Sequence, residues 1–361
     1  MPARHRLLAV VVAVAWGLNF LAIDASLEHF PPFLLAAVRF AIIAVPTLLL
    51  VPRPRVPARW LFGYGLGFGT LQFLFLYWAM HAGIQPGVAS LVLQSSAPFT
   101  VLLGAALFGD TVTPRRLAGL TVAVLGLAVV GWERSHTAAI GPFLLVLAGG
   151  FGWAIGNICN ARAQAPNPFH LTLWMSVVPP VPMLALSLLV EGPHRIGAAF
   201  STTDHLLGAL TGLAYTVLIG TLLGSGIWSW LMARHAAGLV APFSMLVPVI
   251  GLSASAVLLN ERITALEIVG AVLVVGGVLH GSTARALPLP LPRRHGSRGP
   301  IATTGPATPT RPTAAAVAGQ PEPNGSATPA GLPDPRDCGA TASTPRATGI
   351  SALTATRGPA V

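Results

Sequence analysis

The chain has 361 residues, of which 53% are hydrophobic and 9% are charged, with a mean hydropathy of +0.71. Soluble globular chains carry roughly 25% charged residues, so this composition excludes a surface that faces water and predicts a protein embedded in lipid. The net charge is +10 and every basic residue is arginine. Because lysine is absent, a Walker A ATP site and a pyridoxal Schiff base are excluded, and no cofactor is expected.

Ten apolar runs are long enough for a membrane-spanning helix, which needs about 20 residues. In chain order they are 7–27, 33–51, 60–80, 87–108, 115–132, 141–163, 169–190, 205–232, 238–259 and 264–281. The first run follows a basic Arg4-His5-Arg6 start, as a signal peptide does, but nine further runs favour a retained helix. Residues 284–361 are rich in Pro, Ala, Thr and Arg and are predicted to be a disordered cytoplasmic tail.

Arginine placement predicts the orientation. With the N-terminus inside the cell, the inner gaps hold nine arginines and the outer gaps hold Arg134, Arg195 and Arg262. The positive-inside rule therefore predicts cytoplasmic termini in a multi-pass plasma or inner membrane protein. The arginines lie in gaps between apolar runs and in the tail, which favours membrane lipids over nucleic acid as their partners.

The second half of the chain repeats the plan of the first. Setting Asp110 against Glu261 also sets Thr113 against Thr264, and two glycine pairs then fall into register: Gly119 with Gly270 and Gly126 with Gly277. The predicted units are a first five-helix repeat at 1–137 and a second at 138–283. Because five crossings reverse the chain, the second repeat must insert upside down, as in alternating-access transporters.

Uncharged polar residues recur inside the predicted spans. Trp16 and Asn19 share a face of the first helix, and Trp153 and Asn157 share a face of the sixth, which is the first of its half. These pairs are candidates to bind and enclose a polar substrate. The alternative is that the two amides hold neighbouring helices together.

Arg39 lies within the second span, where an unpartnered arginine costs about 2.5–3.5 kcal/mol. It is a candidate to neutralise a substrate carboxylate, although pairing with an acid or with helix-end carbonyls, or snorkelling to the cytoplasmic face, would also explain it. Asp24, near the end of the first span, is interpreted as an interfacial residue or, alternatively, as a proton-coupling acid.

The other substrate-binding candidates are Gln72, Gln94, Tyr215, Ser244 and Pro248. Pro98 and Pro248 interrupt apolar helices, so each is predicted to free a carbonyl or to form a fixed kink. The spans contain no dense cluster of carboxylates or histidines, which argues for a neutral or zwitterionic substrate, no metal and no catalytic site. Glycines four residues apart favour close packing within the chain, with a homodimer face as the alternative.

Several segments together resemble the EamA family of the drug/metabolite transporter superfamily. They are Trp-Gly-Leu-Asn-Phe at 16–20, Arg39-Phe40, Gly-Tyr-Gly at 63–65, the runs 88–94 and 241–248, Gly-Asn-Ile at 156–158, Gly-Ile-Trp at 226–228 and Glu261-Arg262. The resemblance covers about 5–281 and is closer still to bacterial cysteine and O-acetylserine exporters. The chain departs from the family at Gly109-Asp110-Thr111, where Gly-Glu-Arg is usual, at Asp24, where the close exporters have Lys, and in its long tail.

The resemblance implies a ten-helix all-α exporter of small amino-acid-like metabolites that exchanges protons. An exporter of a drug, a purine or another metabolite is the alternative. A membrane scaffold and a lipid-acting enzyme are more remote hypotheses, because the histidines and Cys159 are scattered along the chain.

Overall fold

The computed structural model describes residues 1–136, 140–235 and 237–282, so the predicted tail lies outside the described residues. Within those ranges the chain forms helices joined by short turns and has no strand. The ten helical segments are α1 Ala3–Leu27, α2 Pro32–Leu50, α3 58–81, α4 Pro86–Phe108, α5 Pro114–Ser135, α6 Ile140–Ala163, α7 Pro168–Ser201, α8 Leu206–Arg234, α9 237–258 and α10 Ala265–Ser282.

Eight of these described segments combine the length and hydropathy that a bilayer crossing requires, with α9 qualifying through Ala241–Leu258. The apolar part of α10, Ala265–Gly281, is shorter, and α3 is interrupted by non-α turns. The prediction of an all-α membrane protein is confirmed, whereas a crossing by all ten segments stays a prediction. One boundary differs clearly from the sequence prediction, which ended the seventh run at 190. The structure continues α7 through a further helix, Gly192–Ser201, which begins at Gly192 with a positive φ of 79°.

Wide π-helical turns occur in α3, α7 and α8, and those of α3 and α8 lie at corresponding positions of the two halves. In α3 the wide turns span Gly65–Leu71, and in α8 they span Tyr215–Leu223. In each, a threonine hydroxyl donates to the carbonyl five residues before it: Thr70 to Gly65 at 3.2 Å and Thr221 to Thr216 at 2.9 Å. Thr70 and Thr221 are 151 residues apart, which is also the separation of Asp110 and Glu261. π-Helical turns often mark functional positions.

The repeated glycines bring α5 and α10 into close antiparallel contact. A Cβ atom added at Gly119 would lie 2.5 Å from the Gly277 carbonyl oxygen, and one at Gly126 would lie 2.8 Å from that of Gly270. Residue numbers rise along one helix as they fall along the other, so the two run in opposite directions. Lipid supplies no hydrophobic force between helices, and the glycines instead permit van der Waals contact between backbones.

We call the end of the bundle at which α1 begins the proximal end and the opposite end the distal end. At the distal end, the Glu191 carboxylate of α7 accepts hydrogen bonds from the Phe33 and Leu34 backbone amides, at 2.6 and 3.1 Å, and from the Ser187 hydroxyl. These amides belong to the first turn of α2, whose N–H groups lack helical acceptors. A buried acid of one half therefore caps a helix of the other.

The two predicted prolines occupy similar local structures. A 3₁₀ turn at Leu93–Ser95 precedes the α-helix that contains Pro98, and another at Ala241–Met245 precedes the one that contains Pro248. Each proline is the third residue of its α-helix. Each proline, which has no N–H to donate, therefore lies where the helix changes from a 3₁₀ to an α turn, and the predicted freed carbonyl or fixed kink stays a prediction.

Candidate functional site

Arg39 lies inside the bundle and contacts neutral groups. Its side chain is 5% exposed, its Nη1 donates to the Tyr77 hydroxyl at 2.7 Å, and its Nη2 donates to the Thr221 hydroxyl at 3.0 Å. The guanidinium carbon stands 4.1 Å from the centroid of the Phe73 ring, which supplies a cation–π contact. Three helices, α2, α3 and α8, thus hold one positive charge whose described partners are neutral.

The wide turns of α8 gather further predicted residues around this charge. The Trp16 indole N–H donates to the Gly220 carbonyl at 2.8 Å, one residue before Thr221. Gly220 also faces Asn19, because an added Cβ there would meet the Asn19 amide oxygen at 2.6 Å. The Tyr215 hydroxyl donates to the Ala15 carbonyl at 3.1 Å, beside Trp16 in α1. We call Trp16, Asn19, Arg39, Tyr77, Tyr215 and Thr221 the central cluster.

A path of aromatic rings links the central cluster to Trp153 in α6. Ring centroids of Trp153 and Phe68 are 5.9 Å apart, as are those of Phe68 and Phe73, the ring under Arg39. Gln72 is the neighbour of Phe73 in α3 and is 4% exposed. The structure therefore connects Trp153 through two rings to the position of Arg39, and Gln72 is the buried residue next to the ring under Arg39.

Several buried polar atoms near the central cluster have no hydrogen-bond partner among the described residues. They are Asn19 Oδ1, Arg39 Nε, Gln72 Oε1 and Thr216 Oγ1. Buried polar atoms are almost always paired in folded proteins, so a group of unpaired ones points to polar partners from outside the chain. The set contains acceptors, a hydroxyl and a cationic donor, which suits a ligand with both amino and carboxylate groups.

Gln94, Ser244 and Pro248 form a separate group where α4 meets α9. The Gln94 amide nitrogen lies 3.5 Å from the Met245 sulfur, and the Ser244 hydroxyl donates to the Ala241 carbonyl at 2.7 Å. Pro248 is buried one residue after Val247, whose carbonyl approaches Gly17 of α1. These residues thus adjoin the central cluster through α1.

Asn157 lies apart from the central cluster and lines a cleft at the proximal end. Its amide nitrogen donates to the Thr100 hydroxyl at 3.2 Å. The cleft has two adjoining parts of about 250 and 130 Å³, and both parts are bordered by Thr100, Val101, Arg116 and Asn157. We call it the proximal cleft. The other nine predicted substrate-binding residues do not line it.

At the distal end the same two helices, α5 and α10, are joined by a buried ion pair that the sequence analysis missed. Arg134 Nη2 contacts a Glu267 carboxylate oxygen and also donates to the Gln85 amide oxygen at 2.9 Å, and Arg134 and Glu267 are 9% and 0% exposed. Glu267 accepts from the Thr264 amide at 3.0 Å, and its own amide donates to the Thr264 hydroxyl at 3.2 Å. This reciprocal arrangement is a capping box, and the Thr-x-x-Glu spacing could have predicted it.

Metal-ligating side chains do not form a site in the part of the chain that the structure describes, since no group of three His, Cys, Asp or Glu residues is placed to hold an ion. The arrangement is instead a helical bundle with a buried cationic polar cluster, a cleft at one end and a buried ion pair at the other. A membrane-embedded bundle of this kind defines a transporter of small solutes.

Comparison with known proteins gives the family. The EamA-like transporter family profile matches residues 5–132 and 141–281, and the chain belongs to that family. A "Probable amino-acid metabolite efflux pump" of Salmonella typhimurium is 41% identical over 285 residues, covering 77% of this chain and 94% of the relative. A protein of the same description from Escherichia coli K12 is 39% identical with the same coverage.

More distant relatives agree with this assignment. A "Probable terminal-alkyne amino-acid exporter" of Streptantibioticus cattleyicolor is 27% identical over 282 residues, covering 75% of this chain and 90% of the relative. A solved structure described as "Crystal structure of protein" aligns with a TM-score of 0.53 and 20% identity, covering 80% of this chain and all of that one. At that identity the similarity concerns the fold alone.

Proposed function

We propose that this chain exports small amino-acid-like metabolites of the O-acetylserine or cysteine type from the cytoplasm across the inner membrane. The observation that carries the proposal is the buried guanidinium of Arg39, which is held by the neutral Tyr77 and Thr221 hydroxyls. A buried positive charge with neutral partners favours an anionic group, and the carboxylate of an amino acid supplies one. The names of the two relatives near 40% identity support the same class of cargo.

The transport cycle in this proposal is alternating access between two halves, 1–137 and 138–283, with both termini in the cytoplasm. The antiparallel contact of α5 with α10 through repeated glycines supports an inverted relation between the halves. The proximal cleft and the distal ion pair support a state that is accessible from one end and closed at the other. Trp16, Asn19, Gln72 and Trp153 would enclose the cargo beside Arg39.

Proton exchange needs a carboxyl group that titrates within the working pH range. Burial raises the pKa of Glu261, in the turn between α9 and α10, and the negative charge of Asp24 raises it further. A carboxyl shifted in this direction is a suitable proton carrier. Asp24 and Glu261 are therefore the acids that we assign to coupling.

The test is transport by the purified protein in proteoliposomes, with and without a pH gradient. Labelled cysteine and O-acetylserine should exchange across the membrane, and an opposed pH gradient should drive their accumulation. Arg39→Gln should slow this transport by about tenfold or more, because one charge-assisted hydrogen bond contributes roughly 1.5–3 kcal/mol. Arg55→Gln, at an exposed arginine, is the matched control.

Two results would count against the proposal. Absence of cysteine and O-acetylserine exchange by the wild-type protein, in liposomes where it is folded, would remove this substrate class. Equal cysteine transport by the Arg39 and Arg55 variants would remove Arg39 from the binding site while leaving the transporter class intact.

A further inference from the structure

The two ends of the α5–α10 pair carry different charges at corresponding positions. Thr113 caps α5 by accepting from the Arg116 backbone amide at 3.3 Å, just as Thr264 caps α10 three residues before Glu267. Arg116 and Glu267 are 151 residues apart, the separation that relates the two halves throughout this region. The first half therefore has a cation where the second half has an anion.

The surroundings of these two side chains differ accordingly. Glu267 is fully buried and pairs with Arg134. Arg116 is exposed at the wall of the proximal cleft, and among the described residues no carboxylate forms an ion pair with it. Arg116 is therefore accessible at its end of the helix pair, whereas Glu267 is enclosed by protein groups at the other end.

The smaller part of the cleft also contains an acid. Asp110 lines it together with Arg116 and Arg162, and the Asp110 carboxylate lies 3.5 Å from Arg162 Nη2, with both side chains about half exposed. An exposed ion pair at that distance is weak, so it leaves Asp110 able to accept a second cation. The Thr100 hydroxyl and the Asn157 amide complete the polar lining.

We propose that the proximal cleft is an entry site that recognises the zwitterion of an α-amino acid, with Arg116 binding its carboxylate and Asp110 its ammonium group. The cleft places Arg116, which has no ion-pair partner among the described residues, and the loosely paired Asp110 in adjoining space, whereas an anionic lipid headgroup would engage the arginines and leave Asp110 without a cationic ligand group. This inference rests on the proposed function and deepens it, because it adds a site that selects zwitterionic amino acids before they reach the central cluster. Asn157 belongs to this entry site.

The experiment measures equilibrium binding of three labelled compounds to the purified full chain in phosphatidylcholine nanodiscs. Cysteine carries both charges, cysteamine lacks the carboxylate and N-acetylcysteine lacks the ammonium group. Arg116→Gln should weaken cysteine binding by about tenfold and leave cysteamine unchanged, because the lost contact is charge-assisted. Asp110→Asn should weaken cysteine binding to a similar extent and leave N-acetylcysteine unchanged.

The controls separate this inference from the alternatives. Arg115→Gln changes the neighbouring arginine, which does not line the cleft, and should bind all three compounds as the wild type does. Arg116→Lys should restore part of the cysteine affinity. Nanodiscs containing phosphatidylglycerol test the lipid alternative: loss of cysteine binding there, reversed by Arg116→Gln, would assign the cleft to a lipid headgroup and overturn the proposal.

The remaining outcomes are distinguishable. If the wild type transports cysteine and the Arg116, Asp110 and Arg115 variants bind all three compounds equally, the entry site is wrong and the proposed function stands. Equal losses for all three compounds would also overturn the entry site, because they would show no charge selectivity. If the folded wild type neither binds nor transports any of these compounds, the proposed function fails first and the entry site with it.

Discussion

Arg134 and Glu267 place two opposite charges in a position from which water is almost excluded. Taking two ions out of water is expensive, and their attraction offsets this cost only when additional hydrogen bonds complete both groups. Here Gln85 and Thr264 supply those bonds. Removing one member leaves the other buried without its counter-charge.

Glu267→Gln should therefore destabilise the protein by about 3 kcal/mol, the lower part of the range for breaking a buried pair. The glutamine can still cap α10, so the loss would report the charge and not the cap. Thermal unfolding of the purified protein in detergent measures the effect. Glu28→Gln is the control, because Glu28 and its partner His205 are both more than half exposed and such pairs contribute roughly 0–1 kcal/mol. Similar melting of both variants would contradict the prediction.

Glu261 gives a pH-dependent contribution to stability. Burial is the main cause of its raised pKa, Asp24 adds to it, and hydrogen bonds from Ser255 and Gly87 and the charge of Arg134 oppose it. The folded protein then holds this proton more tightly than the unfolded chain does. Stability should fall as pH rises from about the ordinary value of 4.5 through the raised pKa.

Glu261→Gln should remove this dependence, so its melting temperature should change less with pH above 4.5 than that of the wild type. Melting curves recorded at closely spaced pH values provide the comparison. Asp24 and Glu267 face the same region and are unchanged in this variant. Parallel curves for the two proteins would show that the dependence does not come from Glu261.

At the scale of the helix pair, the close contact of α5 and α10 depends on glycine at defined positions. A Cβ at Gly277 would lie 2.5 Å from the Ala123 backbone nitrogen, whereas one at Gly276 would meet nothing within 4 Å. Backbone atoms cannot move aside as a flexible side chain can. The pair therefore contains two adjacent glycines, of which Gly276 has room for a methyl group and Gly277 does not.

Gly277→Ala should lower stability by about 1–3 kcal/mol, the usual cost of overpacking. Gly276→Ala should be neutral or slightly stabilising, because alanine favours the helix. Detergent-solubilised melting temperatures and the yield of monodisperse protein measure both variants. Equal melting temperatures for the two variants would contradict this prediction, because they would mean that α5 and α10 can move apart without a loss of stability.

The helical segments were predictable from sequence because an apolar run of about 20 residues in lipid forms a helix, which satisfies its backbone hydrogen bonds within the segment. A specific environment for Arg39 was also predictable, because a charged side chain within a membrane span is costly unless polar groups surround it. Its partners were not: Tyr77 and Thr221 are 38 and 182 residues away from it, and no local pattern specifies that contact. The wide turns of α3 and α8 were missed because apolar periodicity does not distinguish π from α turns.

The candidate site was predicted less well than the fold. Trp16 and Asn19 contact Gly220, the residue before the Thr221 that binds Arg39, whereas Asn157, the counterpart of Asn19 in the repeat, lines the proximal cleft. Equivalent positions in two halves have equivalent surroundings only when both ends of the molecule are in the same state. Sequence repetition alone does not report that state.

For the whole molecule, the inverted repeat predicts which turns face each side of the membrane. Ser135, at the distal end, and Arg55, between α2 and α3, should lie on opposite sides. Ser135→Cys and Arg55→Cys, in a chain whose Cys159 and Cys338 are changed to Ser, allow labelling with a membrane-impermeant thiol reagent. In intact cells the first variant should react and the second should not.

Labelling of both positions from the same side would contradict the inverted repeat. Labelling of the Arg55 variant alone would keep the repeat and reverse the orientation that arginine counting predicts. Cells made permeable before labelling serve as the control, because both variants should then react.

A carrier assembled from two identical halves would have equal energies with either mouth closed, and would rest on each side half of the time. Here arginine at 116 stands where the second half has glutamate at 267, so among the described residues the buried Arg134–Glu267 pair at the distal end faces only an exposed Asp110–Arg162 pair at the proximal end. Under the proposed cycle, this difference gives the empty protein a preferred resting side, and so unequal rates of loading from the two compartments. The gradients of cargo and coupling ion still set the direction of net transport.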